Sequence, residues 1–135
     1  MKASNSQRGA NVLEAALVIP ILLIMVFGIV DFGRAFNVYQ IITDAAREGA
    51  RYSVAPSPGT TTLPGASAVE TYVRSYLASG NIKGAAVNVN QGYVSSVNGV
   101  NALCTEVTVI EPYTSLFFPF KVNIQSRSVM RNETN

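Results

Sequence analysis

The hydrophobic pattern changes twice along the chain. Ala15 to Val30 carry no charge, and as a helix these sixteen residues would cover about 24 Å at ~1.5 Å each, short of the ~30 Å hydrocarbon core of a bilayer. Extending the span back to Ala10 reaches that thickness, which predicts a transmembrane helix over residues 10–30. From Asp31 the pattern becomes amphipathic without any helix-breaking cluster. Phe32, Phe36, Tyr39, Ile42, Ala46, Gly49 and Ser53 step by three or four residues and mark one helical stripe. A single helix is therefore predicted from Val12 to about Val54, residues 31–54 being its amphipathic continuation outside the membrane.

Residues 55–66 hold Pro56, Pro58, Gly59, three threonines and Pro64-Gly65, a loop that ends this helix. Ser67 and Glu70 fit a capping box for a second, short helix with Val69, Val73 and Leu77 on its apolar side and Ser79-Gly80 as its stop. Beyond Lys83 the period falls to two. Strands are predicted over residues 85–91, 104–111 and 120–130, with a further one over 93–97 and Asn98-Gly99 as a turn. Val87, Val89, Val107, Val109, Val122 and Ile124 give the sheet an apolar face, and the stripe of the long helix is its simplest cover. The expected fold class is α+β: a helical spine with an extracytoplasmic domain over residues 67–135 built from a short helix and a small antiparallel sheet.

Charge adds a topological signal. Of ten basic residues Lys2 and Arg8 lie before the apolar run, and the eight that remain match the eight acidic ones. That bias reads as positive-inside, and no basic run with interleaved aromatics offers a nucleic-acid surface. Histidine is absent, as are glycine-rich phosphate loops and paired cysteines, so the sequence offers no catalytic residue, no metal site and no cofactor site. Cys104 is the single cysteine and reads as a small apolar strand residue, with an intersubunit disulfide as the alternative.

Several positions then stand out. Glu14 inside an apolar span costs at least ~2.5 kcal/mol unless it is neutralised, so a partner is expected. A cut after Gly9 would supply one, because the new amine on Ala10 would sit one helical turn from Glu14. Pro20 removes a backbone donor and predicts a kink. Asp31 with Arg34, Asp44 with Arg47 and Glu48 with Arg51 read as ion pairs on a solvated face. Ala45, Ala46, Gly49 and Ala50 form a small-residue patch suited to docking the domain onto the helix. Residues 112–119 read as a connection whose Tyr113, Phe117 and Phe118 either fold inward or meet another subunit.

Arg8-Gly9, the spacing to Glu14, the apolar run with Pro20, Asp31-Phe32-Gly33-Arg34 and Ala45 to Tyr52 together resemble the TadE-like proteins, minor pilins or pseudopilins of the tight-adherence (Flp-type) pilus system. The resemblance implies a prepilin-type leader over residues 1–9, removed between Gly9 and Ala10 by a prepilin peptidase. It also implies a role in pilus assembly with other pilin and pilus-machinery subunits as partners. The protein would then lie in a bacterial inner membrane with its amino terminus cytoplasmic, and in an extracellular pilus after assembly. The competing reading is a signal-anchored binding or adhesion module whose leader is kept.

Overall fold

A computed structural model describes residues 4–56, 61–97 and 100–132. Its elements follow the expected α+β order: α1 (Ser4–Val54), α2 (Ala66–Ser79), β1 (Ala86–Val97), β2 (Val100–Thr114) and β3 (Lys121–Arg131). The sheet is an antiparallel meander in the order β1-β2-β3. Met1 to Ala3 of the predicted leader, the centre of the 55–66 loop and the Asn98-Gly99 turn lie outside the described residues.

The 51 residues of α1 would span about 76 Å at ~1.5 Å per residue. It starts at Ser4, earlier than the predicted Val12, so the described end of the leader is continuous with the spine. Pro20 lies inside the helix and removes the donor to the Ala16 carbonyl. Pro56 disfavours helical geometry at Ala55, and α1 ends one residue earlier.

The buried line of α1 takes up only part of the predicted stripe: Ile42, Ala46, Gly49 and Ser53 lie on it, whereas Phe32, Phe36 and Tyr39 do not. Asp31, Ile42, Ala45, Ala46, Gly49, Ala50 and Ser53 are buried, with Ala35 and Val38 half-buried between them. Phe32 is 74% exposed, and Phe36 and Tyr39 are also exposed. The reason is angular. At about 100° per residue, Asp31, Val38, Ile42 and Gly49 fall within about 20° of one line, whereas Phe32, Phe36 and Tyr39 lie about 80–140° away from it. Spacing by three or four is common to both lines, and aromatic size drew only the first three positions of the prediction off the buried one.

α2 begins on Gly65, whose carbonyl receives the Ala68 and Val69 amides, and no side chain caps it. The predicted capping box is therefore not formed; Glu70 instead pairs with Arg74 at 2.8 Å, the i,i+4 arrangement. Val69, Val73 and Leu77 are buried as expected. The chain leaves α2 through Asn81 at φ 61°, a left-handed turn that Asn tolerates, and the Ile82 amide returns to the Leu77 carbonyl.

β1 and the separately predicted 93–97 strand are one strand with a register shift between Asn90 and Tyr93. β2 extends to Thr114 and includes Pro112, which was expected to start the connection. Pro112 is tolerated because the last β1 pair is Ala86 with Ile110, so its nitrogen lies past the β1 ladder, and only β3 pairs with it, through Asn123. Val122, predicted to be covered, is exposed.

Ile42, Ala45, Ala46 and Ala50 of α1 meet Val69, Val73 and Leu77 of α2 and Val107 and Val109 of β2 in one core. Gly49 marks the closest approach. A Cβ there would overlap Val73 Cγ2 and lie 3.4 Å from Val107 Cγ1. Cys104 is buried with its thiol free.

Two outcomes follow from this packing. Gly49→Leu has no space between α1 and α2 and is expected to lose about 1–3 kcal/mol or more, measurable as a lower thermal midpoint in detergent. Glu111 buries Oε2 without a hydrogen-bond partner, and that burial raises its carboxyl above the usual range. Its contribution is favourable at pH below the ordinary carboxylate range, where it is protonated whether folded or not, and is lost as pH rises through the raised folded-state value. Glu111→Gln is thus expected to stabilise the domain by about 1 kcal/mol at pH 7, with the gain shrinking toward pH 4 in thermal melts.

Candidate functional site

The residues singled out by sequence fall into two groups on α1. Gly9, Ala10, Glu14 and Pro20 lie on its first half, where every residue from Gly9 to Phe27 is exposed. Ala10 and Glu14 are four residues apart and so share a face. Glu14 makes no ion pair or hydrogen bond with another described residue. This half of α1 is long and apolar enough to cross a membrane. The small patch Ala45, Ala46, Gly49 and Ala50 lies on the second half, buried under α2 and the sheet. The two groups are separated along the helix and form no common site.

Between them lies an arrangement that the sequence reading missed. Asp31, expected on a solvated face, is 4% exposed. Tyr113 Oη donates to its Oδ1 at 2.8 Å, the Leu116 amide donates to the same oxygen at 3.1 Å, and the Ser115 hydroxyl donates to Oδ2. Tyr113 Oη also lies 3.0 Å from the Asp31 carbonyl. Arg34 supports the carboxylate from a more exposed position at 3.8 Å and lies 5.9 Å from the Tyr113 ring centre. Burial, and then the hydrogen bond to Asp31, pushes the Tyr113 phenol above its usual range. This tyrosine remains a neutral donor at neutral pH.

The connection from Ser115 to Phe120 is thereby fastened to α1. It reaches further toward the amino-terminal half, because Phe117 stacks on Phe27 with ring centres 4.5 Å apart and planes at 13°. Of the three aromatics named as a possible subunit contact, Tyr113 is buried and cannot serve as an exposed one. Phe117 is exposed and Phe118 half-buried. Of the three predicted ion pairs on α1, Glu48 with Arg51 forms at 2.7 Å, and Glu48 also accepts from Tyr72 of α2 at 3.4 Å. Asp44 and Arg47 form none with each other. Among the described residues, no group of three or more His, Cys, Asp or Glu side chains is placed to hold a metal ion.

A signal for Asp31 was present. It is the first charge after the uncharged run, and it lies on the same helical line as Ile42 and Gly49. The hydroxyls of Tyr113 and Ser115 stood in a connection otherwise read only for its aromatics.

The family model described as TadE-like protein matches residues 9–51, the part of α1 that joins the exposed apolar half to the docked half. Residues 9–51 are TadE-like. That family suggests a Tad pilus-associated protein. The TadE-like segment contains Glu14, Pro20, Asp31 and the small patch, and ends just before Tyr52, which stacks on Tyr72 of α2 at 4.5 Å. No curated protein and no solved structure matches the chain.

The Asp31 cluster gives a direct test. Tyr113→Phe removes a donor to a carboxylate and is expected to cost about 1.5–3 kcal/mol. Hydrogen exchange should show faster exchange at the Leu116 and Phe118 amides in this variant, with α2 amides changed less.

Proposed function

We propose that this protein is a minor pilin or pseudopilin that takes part in assembly of a Tad/Flp-type pilus. It acts as a membrane-inserted structural subunit with no catalytic activity. The observation that carries this reading is the division of the TadE-like helix. Its second half is consumed by the docked domain, while its first half exposes apolar side chains all round.

A helix that is apolar on every face is suited to lipid or to other apolar helices. Residues 10–30 fit the hydrocarbon core by length, and Lys2 and Arg8 keep the amino terminus cytoplasmic with the domain on the other side. In the proposed mechanism a prepilin peptidase cuts between Gly9 and Ala10. The new amine and the Glu14 carboxylate then offset one another, within one helix or between neighbours, so that helices can bundle without an isolated charge in an apolar environment. The missing donor at Pro20 leaves the helix able to bend as it exchanges lipid for neighbouring subunits.

Intact mass of the chain from cells that contain the peptidase is the test of processing. A species beginning at Ala10 supports the reading, whereas one retaining Met1 to Gly9 favours a tethered binding module. Glu14→Ala is expected to leave membrane insertion intact and to reduce pilus yield at least tenfold. Normal piliation by that variant would remove the charge-neutralising role.

A further inference from the structure

The connection between β2 and β3 carries an apolar surface that the assembly reading does not use. Leu116, Phe117 and Phe120 are 64%, 42% and 48% exposed. Beside them Phe118, Val122 and Phe32 line a groove against Gly28 and Ala35 of α1, with little polar surface in it. Clustered exposed apolar side chains of this kind mark an interaction surface.

The position of this surface identifies what covers it. Phe117 stacks on Phe27, and Phe27 lies three residues before the end of the uncharged run at Val30. At ~1.5 Å per residue, Phe27 is about 4.5 Å inside that end. A bilayer that surrounds residues 10–30 therefore also reaches the Phe117 ring.

Four of the five amides in the connection, all but that of Phe117, are paired without water. Irregular segments are costly near hydrocarbon because their amides lack water as a partner. Here the Ser115 amide donates to the Phe120 carbonyl at 3.2 Å and the Phe120 amide to the Phe118 carbonyl at 2.8 Å. The Leu116 amide is held by Asp31 and the Phe118 amide by the Ser115 hydroxyl at 3.0 Å. Pro119 has no amide hydrogen to satisfy. The surface is flanked by Arg34 and Lys121, both exposed, whose stems can lie on apolar surface while their charges meet lipid phosphates.

We propose that the β2–β3 connection is a second membrane anchor, with Leu116, Phe117 and Phe120 seated at the boundary between headgroups and acyl chains beside the exit of α1. The proposal rests on residues 10–30 spanning the bilayer. It holds the domain at a fixed height and makes Asp31 the hinge post between the two anchors.

The chain contains no tryptophan, so a single introduced indole reports one position. The full chain is prepared as Leu116→Trp, as Phe120→Trp, as Leu22→Trp within the span, and as Ser96→Trp, which pairs with Asn101 at the other end of β2. Each is reconstituted at low protein density in phosphatidylcholine vesicles, with and without lipids brominated near the headgroup or, for Leu22→Trp, near the end of the acyl chain. Leu116→Trp and Phe120→Trp are expected to emit at shorter wavelength than Ser96→Trp. They should also be quenched by the brominated lipid at least twofold more, and by aqueous acrylamide less. If Leu22→Trp is quenched by lipid while the two connection variants behave like Ser96→Trp, the anchor is overturned and the span stands. If Leu22→Trp is not quenched either, the span fails and the anchor with it. Emission at the connection that shifts only as protein density rises, without lipid quenching, would assign the surface to another protein and overturn the lipid proposal.

Discussion

Asp31 places a carboxylate where α1 passes from exposed apolar side chains to the docked domain, and the donors of Tyr113, Ser115 and Leu116 converge on it. A charge this buried is costly unless its oxygens are bonded, so the end of β2 has little freedom to sit elsewhere along the helix. The second fixed point is Gly49 beneath Val73 and Val107. One contact is polar and directional, the other steric. Between them they set the position of the sheet along the spine, and the core of Ile42, Ala45, Ala46, Val107 and Val109 fills the space they enclose.

The two halves of α1 differ in side-chain size as well as in exposure. The docked half turns alanine and glycine toward its neighbours, which lets a helix and a sheet both approach it closely. The free half carries Leu, Ile, Val, Met and Phe on all sides. That surface has no counterpart in the domain able to cover it, so its burial must come from lipid or from other chains. The boundary between these regimes falls on one charged residue, and of the domain only the β2–β3 connection reaches past it, to Phe27.

Much of this architecture could be read from periodicity. The uncharged run, the loop at Pro56, the apolar side of α2 and the alternating strands each follow from local pattern, and the structure has these elements in that order. The misreadings share a cause: they depend on which of two geometrically similar options the tertiary contacts choose. Phe32, Phe36 and Tyr39 have helical spacing as good as the buried line does, and only the sheet decides between them. Ser67 and Glu70 have the chemistry of a cap, but α2 is capped two residues earlier, on Gly65, and Arg74 takes Glu70. Pro112 argued against a strand, yet β1 has ended where it stands. Asp31 and Arg34 looked like a surface pair because the donors that bury Asp31 lie more than eighty residues away. Of the candidate residues, the docking patch was legible from size alone. The Asp31 cluster was not, because it needs the β2 register.

The two contacts of the β2–β3 connection with α1, Asp31 and Phe27, also constrain how the molecule could leave a bilayer. Because the connection is bonded to the helix on both sides of the membrane boundary, the domain cannot stay on the surface while the helix slides past it. Any transfer of α1 from lipid into a filament would carry Leu116, Phe117 and Phe120 with it. Each large apolar side chain is worth about 1.5–3 kcal/mol when fully buried, so exposing three of them to water would work against transfer by several kcal/mol. A filament interface that covers only residues 10–30 would forfeit that energy. One that also covers the connection would recover it. The same surface can thus face lipid before assembly and a neighbouring subunit after it, which ties the proposed second anchor to the proposed role in the pilus through one set of side chains.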